Sequence, residues 1–346
     1  MSVLTIDVDK AIVSQVFPFR WPDNSWRAVV VAKKSWRIQP HGLEAIQEYP
    51  TPIFFTDQYY EDDPANSIRY ASDMVPYKPN IDVVVIADAH APANRAITSM
   101  NVSLRGGAIN KSLQVLGERH WIEGLLTTSA SRPQKFAQVP LRYEYAFGGL
   151  DRHSSIPHPD NPHGCAYISK LFAGKKVAGN SLPRIFYADD EAYSINKNTR
   201  VAGLGFLGAS HRSRTAYLGT YDKHWQETRS PELATDFNFA YYNSAPVDQQ
   251  APLGSFSGQS IELRGMSAAV AITTIQLPGN NLSLEIGREI ATPMLMDTVV
   301  IDIPRCLVYQ VWRQHLPLQT PDITAVPDLK FYSSSVKKNK MGIAEN

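Results

Sequence analysis

The clearest pattern in the chain is a series of short apolar runs separated by glycine, proline and polar residues. Ala28–Ile38 is β-branched and then alternates, and Ile81–Ala89 is almost continuously apolar; both patterns are typical of β-strands. Ser99–Arg105 and Asn110–Gly117 alternate on either side of Gly106-Gly107, which predicts a hairpin. Long segments with a helical period of 3.6 residues are missing here. The first 150 residues are therefore predicted to be mainly antiparallel β.

The β pattern returns in the last third of the chain, after a stretch rich in Pro, Gly, Asn and Tyr. Ser230-Pro231 in that stretch predicts the start of a short helix. The predicted late strands are Ser260–Arg264, Ala269–Leu277, Leu282–Ile286, Met296–Ile303 and Leu307–Arg313. The predicted fold class is mainly β, with antiparallel sheets forming a sandwich- or barrel-like architecture, a long loop-rich central region and few short helices.

The same pattern divides the chain into four parts. Residues 1–150 form a β-rich N-terminal part, and residues 256–332 form a β-rich C-terminal part that is expected to pack with it. Residues 151–255 are a loop-rich central segment, and residues 333–346 are a polar tail expected to be flexible. An irregular segment as long as the central one is uncommon unless it packs against something or binds something.

Composition narrows the class of protein. The 346 residues are 43% hydrophobic and 19% charged, which is enough for a sizeable core. A net charge of +1 gives no general electrostatic footprint for nucleic acid. The two cysteines, Cys165 and Cys306, are too few for a disulfide framework and fit a reducing compartment. The N-terminus lacks the pattern of a signal peptide, and no run reaches the ~20 apolar residues of a membrane span, so we expect a soluble, cytoplasmic protein.

One twelve-residue stretch, Pro140–Asp151, concentrates charged, aromatic and glycine residues. It contains, in order, Arg142, Tyr143, Glu144, Tyr145, Phe147, Gly148, Gly149 and Asp151. The alternation predicts a strand with the two charged residues paired on one face and the three aromatic residues on the other. The glycine pair is predicted to turn the chain, and the aspartate to cap that turn. We interpret the stretch as a structural joint and not as an active site.

Candidate metal ligands lie just after this stretch, at His153, His158, His163 and Cys165. These are zinc ligand types, but their spacing matches none of the paired patterns that make a zinc site persuasive. Surface histidines in a polar loop are the favoured interpretation, and no cofactor is predicted.

Catalytic motifs are equally weak. Gly205–Gly208 lacks the serine of a G-x-S-x-G elbow, and Ala202–Gly208 lacks the spacing of a nucleotide-binding loop. Acids that could converge as an acid–base pair stand at Glu144, Asp151, Asp222, Asp236 and Asp248. In loop-rich β proteins such acids mostly cap turns. A hydrolase that uses loop acids and histidines is therefore an alternative function, but no sequence motif supports it.

Aromatic residues admit a binding function. The chain has 16 Tyr, 13 Phe and 6 Trp, residue types that anchor protein interfaces and also fill β cores. A carbohydrate-binding β-sandwich, with rings presented as a flat platform, is a further alternative.

Several segments taken together resemble a known family. They are Lys78–Asp82, Ala87–Pro92, Pro140–Gly149, Asn161-Pro162-His163-Gly164, Leu218–Trp225 (with Gly219, Thr220, Tyr221, Asp222 and Trp225), Asp236–Asn238, Asn243–Pro246 and Asp248-Gln249. Their order and spacing, over roughly residues 15–315, resemble a bacterial family labelled as a domain of unknown function, whose genes lie among type VI secretion genes. Leu150 and the histidine-rich loop from His153 to His163 depart from the family pattern.

The resemblance implies an adaptor or chaperone and no catalytic residues. Members are thought to bind a secreted effector in the cytoplasm and to help load it onto the spike made of VgrG and PAAR proteins. We therefore expect protein partners, no nucleic acid and no membrane. The expected physical mechanism is docking through aromatic anchors, or addition of a strand to an exposed sheet edge.

Overall fold

A computed structural model describes residues 6–7, 10–124, 128–151, 154–168, 179–190, 199–279 and 282–333. The predicted tail beyond Ser333 lies outside the described residues. The strands, in chain order, are β1 (Ile6–Asp7), β2 (Ile12–Arg20), β3 (Trp26–Gln39), β4 (Gly42–Ala45), β5 (Gln58–Tyr59), β6 (Ile68–Tyr70), β7 (Asn80–Ile86), β8 (Asp88–His90), β9 (Ser99–Gly106), β10 (Ile109–Leu116), β11 (Trp121–Glu123), β12 (Thr128–Ala130), β13 (Gln138–Pro140), β14 (Phe147–Gly148), β15 (Cys165–Ala166), β16 (Ile185–Tyr187), β17 (Gln250–Pro252), β18 (Ser260–Arg264), β19 (Ile272–Gln276), β20 (Leu282–Ile286), β21 (Thr292–Pro293), β22 (Leu295–Asp302), β23 (Leu307–Leu318) and β24 (Leu329–Ser333).

Helical structure is sparse. The α-helices among the described residues are α1 (Arg212–Thr215) and α2 (Lys223–Thr228), and neither could cross a membrane. Single 3-10 turns lie at Tyr60–Asp62, Pro92–Asn94, Tyr143–Tyr145, Phe239–Tyr242, Val247–Gln249 and Ile323–Ala325. The prediction of a mainly β protein with few short helices is confirmed.

A seven-stranded sheet organises the molecule. Its strands run in the order β17-β7-β22-β23-β3-β2, with β4 pairing on β3. The β7–β22 pair is parallel and the other pairs are antiparallel. A five-stranded sheet, β16-β10-β9-β18-β19, and a four-stranded sheet, β1-β24-β20-β21, accompany it. These sheets end in edge strands, so the described fold is layered and not a closed barrel.

One face of the seven-stranded sheet, here called the apolar face, packs against the other two large sheets. From the central sheet, the shared core takes Val30, Ala32, Val83, Val85, Val299, Ile301, Val308 and Trp312. The five-stranded sheet adds Val102, Leu104, Leu113, Ile261 and Leu263, and the four-stranded sheet adds Leu282, Leu284, Leu329 and Phe331. Alternate residues of each strand reach this core because side chains on a strand point to opposite faces.

The opposite face, here called the ionic face, is covered by irregular chain and not by another large sheet. Its central-sheet residues include Val29, Val31, Val84, Val300 and Tyr309, which pack with Ile53, Tyr60, Ile68, Tyr70, Phe206 and Ala245. Since both faces are buried, β3, β7 and β22 need apolar residues at successive positions. This requirement explains the continuous apolar runs in the sequence.

Charged side chains interrupt the ionic face. Lys33 is fully buried and forms an ion pair with Asp73. Its ammonium group also donates to the carbonyl of Pro52 at 2.8 Å and lies 3.9 Å from the ring centroid of Phe54. Burial lowers the pKa of Lys33, and the Asp73 carboxylate works against that shift.

Two further buried pairs attach the segment before β7 to the same face. Arg313 pairs with Asp297 and donates to the carbonyl of Asp73 at 2.8 Å. Lys78 pairs with Asp82 at 2.8 Å. The Lys78–Asp82 pair joins the residues before β7 to the sheet, whereas Arg313 and Asp297 pair between neighbouring strands and reach the covering chain through the Asp73 carbonyl.

Most of the predicted strands are confirmed, and two predictions need correction. The hairpin forms as β9 and β10 around Gly106-Gly107. The run Ile81–Ala89 does not form one strand: β7 ends at Ile86, and Ala89 belongs to β8, which pairs with β13. The helix predicted to begin at Ser230 is also wrong. The backbone N–H of Ser230 instead closes the end of α2 by donating to the carbonyl of Trp225 at 3.0 Å.

Candidate functional site

The stretch Pro140–Asp151 is not a strand at its centre. Tyr143–Tyr145 forms a 3-10 turn, and strand pairing begins only at Phe147. The predicted pairing of Arg142 with Glu144 is wrong, because each side chain has a partner in the segment before β7.

Arg142 pairs with Glu61 at 3.1 Å, and its guanidinium lies 4.0 Å from the ring centroid of Tyr60. Glu144 accepts hydrogen bonds from the backbone N–H and the hydroxyl of Ser67, at 2.6 and 2.9 Å. The two charged residues therefore attach the stretch to residues 60–67.

Asn161 ties this stretch to the turn Asn161–Gly164. Its side-chain amide donates to the carbonyls of Tyr143 and Phe147, both at 2.9 Å. Its own carbonyl accepts from the backbone N–H of Gly149 at 2.7 Å. One buried asparagine thus satisfies backbone groups on both sides of the 3-10 turn, which is what buried polar groups require.

The glycines at this crossing are needed because two chain segments touch. Gly148 and Gly149 have φ angles of 144° and 92°, which favour glycine. A Cβ on Gly149 would lie 2.1 Å from the carbonyl oxygen of Gly164, and one on Gly148 would lie 2.2 Å from that of Asn161. The turn predicted at the glycine pair is therefore also a point of close backbone contact.

The turn Asn161–Gly164 separates two clefts. The first cleft, of about 360 Å³, is lined by Asp57, Tyr59, Pro64, Ser67, Ile68, Tyr143, Asp160, Asn161, Pro162, His163 and Phe206–His211. The second cleft, of about 400 Å³, is lined by Ala65, Trp121, Leu150, Asp151, Pro162–Ile168, Asn180 and Ser181. Pro162 and His163 contribute to both. This pair of clefts is our candidate functional site, because the motif residues Tyr143, Asn161, Pro162 and Gly164 form its walls.

Tyr143 forms part of the floor of the first cleft. Its hydroxyl donates to the carbonyl of Gly205 at 3.3 Å, and its ring lies against Gly203, where a Cβ would come within 2.4 Å. The glycine-rich stretch Ala202–Gly208 therefore packs under the motif. Within this stretch, the backbone carbonyl of Leu204 accepts a hydrogen bond from the backbone N–H of Val85 at 3.0 Å. This bond joins the floor of the cleft to the seven-stranded sheet.

The candidate zinc ligands are used in other ways. The Nδ1 atom of His158 accepts from the backbone N–H groups of Asp160 and Asn161, both at 3.2 Å. Burial lowers the pKa of His158, so the ring is neutral near pH 7. His163 donates from Nδ1 to the carbonyl of Ala65 at 2.8 Å.

Cys165 is half-buried, and burial raises the pKa of its thiol to about 12. The thiol contacts the carbonyl of Ala146, with Sγ and O 3.8 Å apart. His153 lies outside the described residues. Among the residues that the structure does describe, no three His, Cys, Asp or Glu side chains are grouped to hold a metal ion.

Of the acids proposed for catalysis, Glu144, Asp222, Asp236 and Asp248 each form a structural hydrogen bond or ion pair through the carboxylate. Asp222 caps α2 by accepting from the backbone N–H of Trp225 at 2.9 Å. Asp236 accepts from the backbone N–H and hydroxyl of Thr220, and these hydrogen bonds lower the pKa of Asp236. Asp151 is buried beside the second cleft, and its carbonyl accepts from the backbone N–H of Ser155 at 2.8 Å.

The motif Leu218–Trp225 forms a separate exposed surface. The rings of Tyr221 and Trp225 meet edge to face, with centroids 4.7 Å apart and planes at 73°. The indole N–H of Trp225 donates to the carbonyl of Glu232 at 2.8 Å. At Gly219, with φ +82°, a Cβ would lie 2.6 Å from the Asp236 carboxylate.

The motif Asn243–Gln249 lies against the seven-stranded sheet. Asn243 donates to the carboxylate of Asp82 at 2.9 Å. Buried Pro246 accepts at its carbonyl from the backbone N–H of Gln249 at 2.8 Å, which closes the 3-10 turn there. Asp248 pairs with Lys111 on β10, also at 2.8 Å. This motif therefore joins the central sheet to the five-stranded sheet.

Sequence reasoning missed several residues of the first cleft, including Asp57, Tyr59, Asp160 and His211. The segment around Tyr59 had the composition of an ordinary loop, and Ser210-His211 lacked a motif. The signal that could have identified Asp160 is its position directly before Asn161. Burial acts to raise the pKa of Asp160, but the hydrogen bonds from Arg212 and the charges of His211 and Arg212 together outweigh it and lower that pKa.

Comparison with protein families gives one match. Residues 23–313 match the model of a family described as an uncharacterized protein conserved in bacteria (DUF2169). No curated protein and no solved structure matches the chain significantly. The matched range contains both clefts and all of the motifs described above.

Proposed function

The chain belongs to this bacterial family, and we propose that it is a non-enzymatic adaptor that binds a type VI secretion effector in the cytoplasm and helps to load it onto the VgrG/PAAR spike. The observation that carries the proposal is the pair of adjoining clefts on either side of the turn Asn161–Gly164, which share Pro162 and His163. Two neighbouring clefts suit successive side chains of an extended polypeptide better than one compact small molecule.

Binding is favoured over catalysis because of how the ionisable groups are used. A catalytic site needs an acid, a base or a nucleophile that converge on one reacting atom. Around these clefts, Glu144 is bonded to Ser67, and Asp160 is paired with Arg212. These two acids are therefore engaged in structural contacts, which favours the adaptor over the hydrolase alternative.

The carbohydrate-binding alternative requires rings on one flat surface. Exposed Tyr221 and half-buried Trp225 meet edge to face, which does not give such a platform. Many of the other aromatic residues pack in clusters, as Phe54 does between Tyr70 and Tyr309. The high aromatic content is thus explained largely by packing in the core.

Co-purification tests the proposal directly. The tagged chain is expressed together with the effector, VgrG and PAAR proteins encoded beside it, and we expect the effector to be retained with the chain. Deletion of the gene is expected to reduce secretion of that effector. Failure of every neighbouring product to co-purify, together with normal effector secretion in the deletion strain, would contradict the adaptor function.

A blocked cleft tests where the effector binds. Gly208 lines the first cleft, and a Cβ at that position meets no atom within 4 Å. Gly208→Leu should therefore fold normally, fill the cleft and lower effector retention about tenfold or more. Ala269→Leu, which adds the same side chain to an exposed loop, is the matched control and should retain the effector.

A further inference from the structure

The first cleft carries a carboxylate that is only partly used. Asp57 lies half-buried in its wall and accepts a hydrogen bond at Oδ1 from the backbone N–H of Ser72 at 2.8 Å. Among the described residues, its Oδ2 atom has no protein partner. Asp57 therefore has a fixed orientation and one oxygen left for a ligand.

Aromatic rings surround the same space. Tyr59, Tyr143 and Phe206 all line the first cleft. Ring faces attract cations, and they do so more strongly where water is partly excluded. Aromatic walls next to a free carboxylate oxygen are the arrangement that binds an organic cation.

Positive charge is missing from the described lining of this cleft. It includes two histidines, His163 and His211, but no lysine or arginine. Burial lowers the pKa of His211, so that ring is neutral near pH 7.

The nearest guanidinium groups have other partners. Arg212 pairs with Asp160, the second carboxylate of the wall. Arg214 is buried and donates to the carbonyls of Leu207 and Tyr241, at 2.8 and 2.9 Å. Burial lowers the pKa of Arg214, and the negative charge of Asp57 works against that shift, but Arg214 does not line the cleft.

We propose that the first cleft receives an arginine or lysine side chain of the bound effector, with Asp57 as the ion-pair partner and the three aromatic rings as its walls. This inference rests on the proposed adaptor function and specifies the chemistry of the partner. A volume of about 360 Å³ lies near the lower limit of ligand pockets and suits one or two side chains.

A peptide titration tests the inference without the effector. The probes are the capped peptides Gly-Gly-Arg-Gly-Gly and Gly-Gly-Gln-Gly-Gly, followed by NMR at the backbone amides of Gly208 and Ala209. We expect the arginine peptide to bind at least about tenfold more tightly, with an affinity that falls as salt is added. Equal binding of the two peptides, or no binding of the arginine peptide, would overturn the inference.

Variants assign the effect to the carboxylate. Asp57→Asn keeps an acceptor for the N–H of Ser72 and should weaken the arginine peptide about tenfold. Asp63→Asn is the matched control: Asp63 also accepts a hydrogen bond from a backbone N–H, that of Ala65 at 2.9 Å, but it does not line the cleft. Tyr59→Leu should weaken binding by a smaller factor, because it removes a ring and keeps an apolar wall. Equal effects of the two aspartate variants would overturn the proposal.

The effector itself separates this inference from the adaptor function. If the wild-type chain and Asp57→Asn retain the effector equally well, the proposal that Asp57 binds a basic side chain of the effector is wrong, while the adaptor function stands. If the arginine peptide binds in an Asp57-dependent manner but no secretion protein is retained, the cleft chemistry stands and the adaptor function is wrong.

Discussion

The two faces of the seven-stranded sheet are buried by different chemistry. On the apolar face, valine and isoleucine side chains pack against two further sheets. On the ionic face, Lys33, Lys78 and Arg313 each pair with a buried or nearly buried carboxylate beneath irregular chain. Both faces are buried, and the ion pairs of the central-sheet residues are concentrated on the ionic face.

The difference follows from what covers each face. A sheet brings a regular array of side chains, so hydrophobic contact alone gives continuous packing. A loop brings few apolar residues and many backbone polar groups, which must find partners when they are buried. The charged side chains of the ion pairs supply such partners, as Lys33 does for the carbonyl of Pro52 and Arg313 for that of Asp73. They fix where the covering chain lies, and they do so without a large net gain in stability.

The largest expected effect comes from breaking one ion pair on the ionic face. Asp73→Ala removes the counter-charge of Lys33 and leaves an ammonium group in the interior. We expect the free energy of unfolding to fall by about 3 to 5 kcal/mol in urea denaturation. Double replacement, Lys33→Met with Asp73→Asn, should recover most of that loss because no unpaired charge remains.

An exposed pair is the control for that experiment. Glu262 and Arg264 pair at 2.7 Å on the five-stranded sheet, with both side chains accessible to solvent. Glu262→Ala should change the free energy of unfolding by less than about 1 kcal/mol. A similar small change for Asp73→Ala would show that the ionic face does not depend on its charges.

The next effect concerns a charge on the apolar side. Lys111 points from β10 towards the apolar core and pairs with Asp248, and burial lowers its pKa to about 8. Between this pKa and the unfolded value near 10.5, the unfolded chain binds more protons than the folded one, so stability should rise with pH. We expect a rise of about 2 to 3 kcal/mol over that range, measured as the difference between wild type and Lys111→Met. The same pH dependence in both proteins would contradict the assignment.

A smaller effect, in the stabilising direction, is expected at Gln310. This residue is fully buried on the apolar side of β23, and neither atom of its amide has a hydrogen-bond partner. Gln310→Met should raise the free energy of unfolding by about 1 kcal/mol. Gln249→Met is the matched control: that amide donates to the carbonyls of Val83 and Leu204, at 2.8 and 2.9 Å, so its loss should destabilise the protein.

The smallest effect is expected for a methylene group removed from the apolar face. Ile301 is fully buried between the sheets. Ile301→Val should lower the free energy of unfolding by only about 0.5 kcal/mol, with the same pH dependence as the wild type. If the loss of stability in Ile301→Val depended on pH, packing on the apolar face would be coupled to the ionisable groups, and the distinction between the two faces would be wrong.

The strands could be predicted from the sequence because their signals are local. The β-branched run Ala28–Ile38 lies within β3, and the glycine pair between β9 and β10 marks their turn. The helix after Asp222 was missed although its capping residue was visible, because the proline at position 231 gave a stronger but misleading signal.

The structure of Pro140–Asp151 could not be predicted in this way. Its alternation of charged and aromatic residues fits a strand, but Glu144 is bonded to Ser67, which is 77 positions earlier. Tyr143 packs on Gly203, much later in the chain. These long-range contacts determine the local structure more strongly than the alternating pattern does. They cannot be predicted from the spacing of residues within the stretch. For the same reason the sequence identified Asn161 and Pro162 through their motif but gave no signal for Asp57.

The pairing of β3 with β23 has a consequence for synthesis. Trp26 lies opposite Leu318, so partners in one sheet are separated by about 290 residues. At about 5 to 20 residues per second, the first strands wait on the order of 15 to 60 seconds for their neighbours to be made. Folding dominated by such distant contacts is slow. During that time β3 lacks its neighbour β23 and exposes apolar surface and an unpaired edge, which favours aggregation of the unfinished chain.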